Sequence, residues 1–385
     1  MANIWEHPNT IAMEALSHLE DSLVVTSLCA KDKTSEFTKK SNGWAVGDTV
    51  SFRTHGEYAV TEFAGSISTQ PVASSSRPMT IEKHLDVSVE VTAREASLDL
   101  DSFSEQVIKP AVYKLAETVD AYVGTKILGA HGLYVSSGLY DSASDIALAR
   151  KAAILQQLAM GRFSLVDLDK EASLLGQTWF NQSQTRGAAG ETTLMSGDMG
   201  RVMGMDWFSS ISFPTNSSAH SAGTMVCTTN NDTGTKNLIG DKILVVDNQT
   251  ASKVVNAGDR LAINGVRRPL LVKTTIADTS ATTEVELVDP ITEIIPDDAA
   301  VTVIGSGLDL TWHGAIMDDR SLAVAFPKLD EPGDKITATA DSNGVSVRIV
   351  KGYDMQTKKD TLSLDLLVGA FALDPRRITL AAESV

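Results

Sequence analysis

The chain has 385 residues, with 33 Lys and Arg against 49 Asp and Glu for a formal charge of -16. That length calls for two or three structural units, and that acidity argues against a module built to grip DNA or RNA. Hydrophobic residues at 43% and charged ones at 21% exclude an intrinsically disordered chain, while 5% aromatics leave a core of Val, Leu, Ile and Ala with few anchors for a small-molecule pocket.

In chain order, residues 1–16 hold no cationic stretch followed by an apolar one, so no secretory signal is read there and synthesis in the cytoplasm is expected. Ile11, Ala15, Leu16, Leu19 and Leu23 fall at helical spacing, with Asn9 or Thr10 as the N-cap. Over 44–63, Val46, Val50 and Phe52 alternate with polar residues and His55-Gly56 offers a turn, which predicts a hairpin; 66–80 reads as linker. Leu85, Val87, Val89 and Val91 alternate with Asp86, Ser88, Glu90 and Thr92, a strand with one buried and one wet face.

Asp101 or Ser102 opens the longest predicted helix, Ser102 and Glu105 having the spacing of a capping box. Two adjacent rows, Val107-Ala111-Leu115-Val119-Tyr122-Lys126 and Ile108-Val112-Ala116-Val123, form a wide apolar stripe. Pro110 should bend this helix or weaken its start, and His131-Gly132 ends it. Ser142 with Asp145 caps a second helix, whose expected shared face is Leu148, Ala152, Leu155 and Ala159 and whose stop is Gly161. Residues 181–204, rich in Gly, Ser and Thr, read as a long loop.

Helical periodicity vanishes over 223–307. Short β segments at 242–246, 260–263, 270–275, 284–288 and 300–304 are separated by turns such as Asn256-Ala257-Gly258-Asp259 and Asn264-Gly265, which predicts a small β-barrel or sandwich. Strand text of another kind follows at 322–326, 345–350 and at Leu362, Leu364, Leu366 and Val368, so the β unit reads as an insertion. The longest apolar run, 366–373, is a strand's length and far below a bilayer span, so no membrane partner is expected.

Candidate chemistry is sparse. Cys29 and Cys227 are far apart with no CxxC, which reads as two buried reduced thiols. His7, His18, His55, His84, His131, His220 and His313 form no HxH or HExxH pair. The acid pairs Asp167/Asp169, Asp297/Asp298 and Asp318/Asp319 could bind a cation or serve as acid and base, but read as solvated turn carboxylates. Gly197, Gly200 and Gly204 beside Arg201 match no phosphate-binding loop, and Ser306 between Gly305 and Gly307 lacks the spacing of a nucleophile elbow and reads as a hinge. Arg267-Arg268 and Arg376-Arg377 read as ion pairs between subunits or solvated edges. No catalytic, cofactor-binding or metal-ligating residue is assigned, no cofactor is expected, and the chain is not read as an enzyme.

Three stretches carry a family resemblance: VIKPAVYKLAETVDAYVGTKIL at 107–128, LTWHGAIMDDRSLAVAFPKL at 310–329 and GVSVRIVKGYDMQTKKDTLSLDLLVGAFALDPRRITL at 344–380. In this order, with the hairpin before and the β insertion between them, they resemble the major capsid proteins of tailed phages, in the short-tailed-phage coat branch that carries an inserted β domain. The resemblance spans nearly the whole chain and implies an α+β fold of the Hong-Kong-97 type, with an extended loop, a spine helix, peripheral (P) and axial (A) domains and the inserted small β-barrel.

The implied layout is an N-terminal arm at 1–39, extended-loop hairpin at 40–80, peripheral domain with spine helix at 81–140, first axial part at 141–222, inserted β domain at 223–307, and closing axial and peripheral strands at 308–385. The implied function is an icosahedral procapsid and mature shell enclosing double-stranded DNA. Implied partners are the chain itself in hexamers and pentamers, a separate scaffolding protein because the N-terminal segment is short, a portal protein and packaged DNA held non-specifically, with a decoration protein left open. The implied location is the virion, with the host cytoplasm during assembly. No cross-link between subunits is predicted. An encapsulin-like nanocompartment shell and a phage hydrolase or tail enzyme are the alternatives.

Overall fold

The computed structural model describes residues 8–31, 34, 45–53, 76–91, 104–136, 138–156, 162–181, 193, 195–215, 217–219, 227–230, 236–247, 254–277, 282–305, 309–330, 336–354 and 359–384. The chain divides into two compact units, one of Met1–Phe52, Pro78–Lys126 and Leu322–Leu373, the other of Arg53–Arg77, Ile127–Ser321 and Asp374–Val385.

In the first unit, the amphipathic segment forms the helix Pro8–Ser22. It begins one residue before the expected cap, because proline suits a first turn whose amide has no partner to lose; Asn9 and Thr10 are therefore helical. Ile11, Ala15, Leu16, Leu19 and Leu23 are all buried, as the spacing predicts. The long helix runs Lys109–Thr125, with Pro110 in its first turn and a π-helical turn Ser104–Ile108 before it. Proline thus sets where regular α-helix begins, and residues 101–103, where the capping box would start, lie outside the described residues. Val107, Tyr122 and Lys126 are half-buried, the other members of both rows are buried, and the helix closes in a 3₁₀ turn, Lys126–Gly129.

The sheet of this unit is antiparallel. Lys359–Ala372 is its axis, pairing with Val345–Asp354, with Leu322–Ala325 and with Lys83–Val91, the last in an unbroken register from Asp360↔Val91 to Val368↔Lys83. Val345–Asp354 pairs on its other edge with Ile336–Ser342. Asn343 (φ 48°) and Gly344 (φ 78°) make the two-residue turn between these two strands, both in the left-handed region that matches strand twist. Met79, Ile81, Ala323, Ala325, Leu367 and Phe371 share a core cluster, with Phe52 stacked on Phe371 at 5.6 Å. Of the predicted hairpin, Thr49–Arg53 forms a two-stranded sheet with Ser76–Thr80, so the end of the expected linker is strand; its tip lies outside the described residues.

The second unit holds a mixed sheet ordered Gly132–Ser136, Thr379–Ser384, Asp309–Met317, Phe163–Val166, Met205–Ser209, Arg201–Val202. Gly132–Ser136 runs parallel to Thr379–Ser384, and Phe163–Val166 parallel to Met205–Ser209. The expected helix stop His131-Gly132 is instead the entry to a strand. Glycine is required there, since a Cβ on Gly132 would lie 2.3 Å from Thr379 Oγ1. Helix Ala143–Leu155 has the predicted Ser142 cap, whose Oγ accepts from the Asp145 amide. Its buried face is Ile146, Ala149 and Ala153, while Leu148 and Leu155 are exposed, which corrects the expected face by one position around the helix; Ala159 and Gly161 lie outside the described residues. Within the expected loop at 181–204, Arg201–Val202 pairs with Met205–Ser209 across a Met203-Gly204 turn with both φ positive.

Between these elements lie six strands in one antiparallel order, Leu270–Leu271, Arg260–Ile263, Ala300–Val303, Cys227–Thr229, Ile243–Asp247, Thr282–Glu286. The two ends of that order meet: Val272 and Leu287 form an antiparallel bridge, Lys273 N donates to Glu286 O at 2.9 Å and Val288 N to Leu271 O at 3.0 Å. The interior is a separate apolar cluster that includes Leu244, Val246, Leu261, Val285, Val301 and Val303. The turns at Gly258 and Gly265 fall where the sequence places them, both with positive φ.

Candidate functional site

The acid pairs separate by environment. Asp169, Asp297, Asp298 and Asp319 are exposed, but Asp167 and Asp318 are buried, which corrects their reading as solvated carboxylates. Asp318 accepts from Ser321 Oγ at 2.7 Å and from Arg377 Nη1 at 2.5 Å, while Arg376 Nε reaches Asp374 at 2.8 Å. The twin arginines are thus tied within their own chain, because the 3₁₀ turn Pro375–Arg377 folds them onto the adjacent carboxylates. Arg268 is buried and Arg267 exposed. Cys29 is buried and its thiol is pushed far up by burial and by the nearby Asp120 charge, so it carries little thiolate. Gly197, Gly200 and Gly204 all have positive φ and serve backbone turns. His7, His55, His220 and Ser306 lie outside the described residues, as does the side chain of Cys227.

Among the described residues a polar centre joins Asp167 and His313, which no sequence motif linked. Asp167 is the N-cap of helix Leu168–Gly176; its Oδ1 accepts from the Lys170 amide at 3.0 Å and its Oδ2 lies 2.9 Å from His313 Nδ1. The other His313 nitrogen, Nε2, is 3.2 Å from Glu383 Oε2. Glu383 Oε1 is met by both Lys170 Nζ and the Tyr140 amide. Four elements build this centre. The register of Asp309–Met317 against Thr379–Ser384 shifts between Trp312 and Gly314, and His313 sits at that irregularity, where a bulge re-aims a side chain. Lys170 is 3% exposed and Glu383 8%.

A second centre surrounds Asp289. Arg77 Nη2 meets its two oxygens at 2.6 and 2.7 Å, and His131 Nε2 lies 3.0 Å from Oδ2. Burial raises the Asp289 pKa, but the His131 contact and the charges of Arg77 and Arg376 outweigh it and hold the carboxyl well below its usual range. A cavity of about 20 Å³ beside it, room for one water, is lined by His131, Gln156, Arg268, Leu270, Asp289 and Arg376. Arg260 donates to the Ala130 carbonyl at 2.7 and 3.0 Å and lies over the Trp312 ring at 5.7 Å. Burial lowers its pKa to about 10, still charged at neutral pH. Among the described residues no group of three or more His, Cys, Asp or Glu is arranged to hold a metal, and no helix is long and apolar enough to cross a membrane.

The outer surface carries isolated apolar side chains. Met195 is 83% exposed and Ile211 76% in the second unit. In the first unit Ile336 lies on an edge strand and Tyr353 on the strand beside it, both exposed.

No protein-family model and no curated relative matches the chain. Among solved structures, a chain of Mycobacterium phage Che8 matches over 93% of this chain and 90% of its own, with a TM-score of 0.51 and 10% identity. The capsid of cyanophage P-SCSP1u covers 89% and 85%, with a TM-score of 0.44 and 12% identity. The capsid of Ralstonia phage GP4 covers 90% and 86%, with a TM-score of 0.44 and 10% identity. The match to the Che8 chain shows the fold, a mixed α/β arrangement shared with that phage chain over most of its length.

Proposed function

We propose that the protein is a major capsid protein, a subunit that assembles with copies of itself into the icosahedral shell of a tailed phage. The fold shared with a phage chain over 93% of the sequence carries this reading. The surface supports it: Ile336–Ser342 is the outermost strand of its sheet among the described residues, and Ile336 is exposed on it. Exposed Met195 and Ile211 would be covered in an assembly.

In this reading the layout is that of the Hong-Kong-97 type. Residues 40–80 form the extended loop, the helix Lys109–Thr125 the spine, and 223–307 an inserted barrel closed through Val272 and Leu287. Residues 81–140 are the peripheral part, 141–222 the axial part, and 308–385 contribute to both. The chain acts as structure and not as a catalyst on other molecules. A separate scaffolding protein guides hexamers and pentamers into a procapsid in the host cytoplasm; a portal and double-stranded DNA complete the virion.

The test is electron microscopy of the purified chain, expressed alone and with candidate scaffolding partners. Closed icosahedral shells are expected in at least one condition. Monomers or dimers in every condition would overturn the reading, and shells that enclose an enzyme instead of DNA would move it to a nanocompartment.

A further inference from the structure

The geometry points to a covalent step inside one chain, independent of the shell role: condensation of Lys170 and Glu383 into an isopeptide bond. An ordinary buried ion pair needs one cation against one carboxylate. Here each group that an amide-forming reaction requires is already at the Glu383 carboxyl. The Lys170 amine and the Tyr140 amide meet Oε1, and the His313 imidazole meets Oε2 at 3.2 Å. Lys170 and Glu383 are 3% and 8% exposed, so the pair is shielded from bulk water. The reaction begins as one proton moves from the Lys170 ammonium to the Glu383 carboxyl, leaving an amine beside a carboxylic acid. These are the reactive forms.

The step balances without a co-reactant. Lys170 Nζ adds to the Glu383 carboxyl carbon and forms the C–N bond, while the Tyr140 N–H donates to the oxygen that gains negative charge. His313 Nε2 then gives a proton to the departing Oε2 hydroxyl, the C–O bond breaks, and one water leaves. The surplus proton on nitrogen returns to His313, so no electrons change hands and the acid is regenerated. Asp167 is a positioning residue. Its Oδ2, 2.9 Å from His313 Nδ1, sets the ring, and its Oδ1 holds the amide of the residue that carries the nucleophile. The bond would join helix Leu168–Gly176 to the last strand, Thr379–Ser384, across 213 positions of chain.

Intact-mass spectrometry of the full chain in denaturant tests this directly. The expected result is a mass lower than that of the sequence by one water, with a branched peptide joining the fragments that contain Lys170 and Glu383. Lys170→Arg should restore the full mass. His313→Gln should lower the fraction linked at a fixed time after synthesis, and Asp167→Asn should shift the pH dependence of that fraction. A wild-type chain at full mass overturns the inference. So does a water deficit that persists in Lys170→Arg, which would place the lost water elsewhere.

Discussion

Asp120 illustrates how much a single buried carboxylate holds in this protein. It lies 3% exposed on the long helix and accepts from the amides of Val24, Val25 and Thr26 at 2.8 to 3.0 Å and from Thr26 Oγ1 at 2.6 Å. No cation is needed: the three successive amides form a concave donor site that satisfies both oxygens. Removing the carboxylate strands those donors, each worth about 1–3 kcal/mol where it stays buried. Asp120→Ala should lower unfolding free energy by about 3 kcal/mol in urea titration, and Asp120→Asn by less. An Asp120→Ala chain as stable as wild type would contradict this account.

Asp289 makes the corresponding case for pH. Its folded pKa lies below the ordinary 3.8, so the stability it contributes is fully present above that value and is lost as pH falls through the folded value. The melting temperature of the wild-type chain should therefore drop on acidification below about pH 4, and Asp289→Asn should flatten that limb and lower stability at neutral pH. Parallel acid limbs in the two proteins would remove Asp289 as the cause.

At the scale of elements, the parallel pair Gly132–Ser136 and Thr379–Ser384 depends on one missing side chain. A Cβ at Gly132 would meet Thr379 Oγ1 at 2.3 Å, Thr379 Cβ at 2.9 Å and the Ile378 carbonyl at 3.0 Å, and backbone must move to admit it. Gly132→Ala should cost about 1–3 kcal/mol in thermal or chemical unfolding. Adding Thr379→Ala should recover part of that loss, since the closest atom is then gone. Equal stability of the single and double variants would show that the Ile378 carbonyl, and not Thr379, sets the limit. The same strand carries Glu383, so the packing at Gly132 also fixes where the polar centre of the second unit sits.

At the scale of the whole molecule, the charge of -16 acts between copies. In the proposed shell, subunits of like charge repel, and the screening length falls from about 10 Å at 0.1 M salt to about 3 Å at 1 M. Raising salt should lower the protein concentration at which shells form, measured by light scattering. A threshold that rises with salt would mean that attractive intersubunit ion pairs dominate. An acidic chain also suits the proposed container for DNA, since a wall that gripped phosphates would release counterions and bind the genome in place.

What the sequence determined by itself was the periodic and local part. The helix Pro8–Ser22, the Ser142 cap, the strand Lys83–Val91 and the turns at Gly258 and Gly265 depend on residues near one another in the chain, so spacing reveals them. The order of those elements carried the resemblance to capsid proteins. The polar centres were illegible because their members come from distant positions: Lys170 with Glu383, Arg77 with Asp289, Asp120 with Val24 to Thr26. The only local sign was a charge set in an apolar pattern, as with Asp120 between Ala116 and Val123 or Glu383 after Leu380, Ala381 and Ala382. A pattern can show that such a charge will be buried. Only the tertiary structure decides which partner satisfies it, because in a low-dielectric interior the outcome depends on distances of a few ångströms between atoms that sequence separation leaves unrelated.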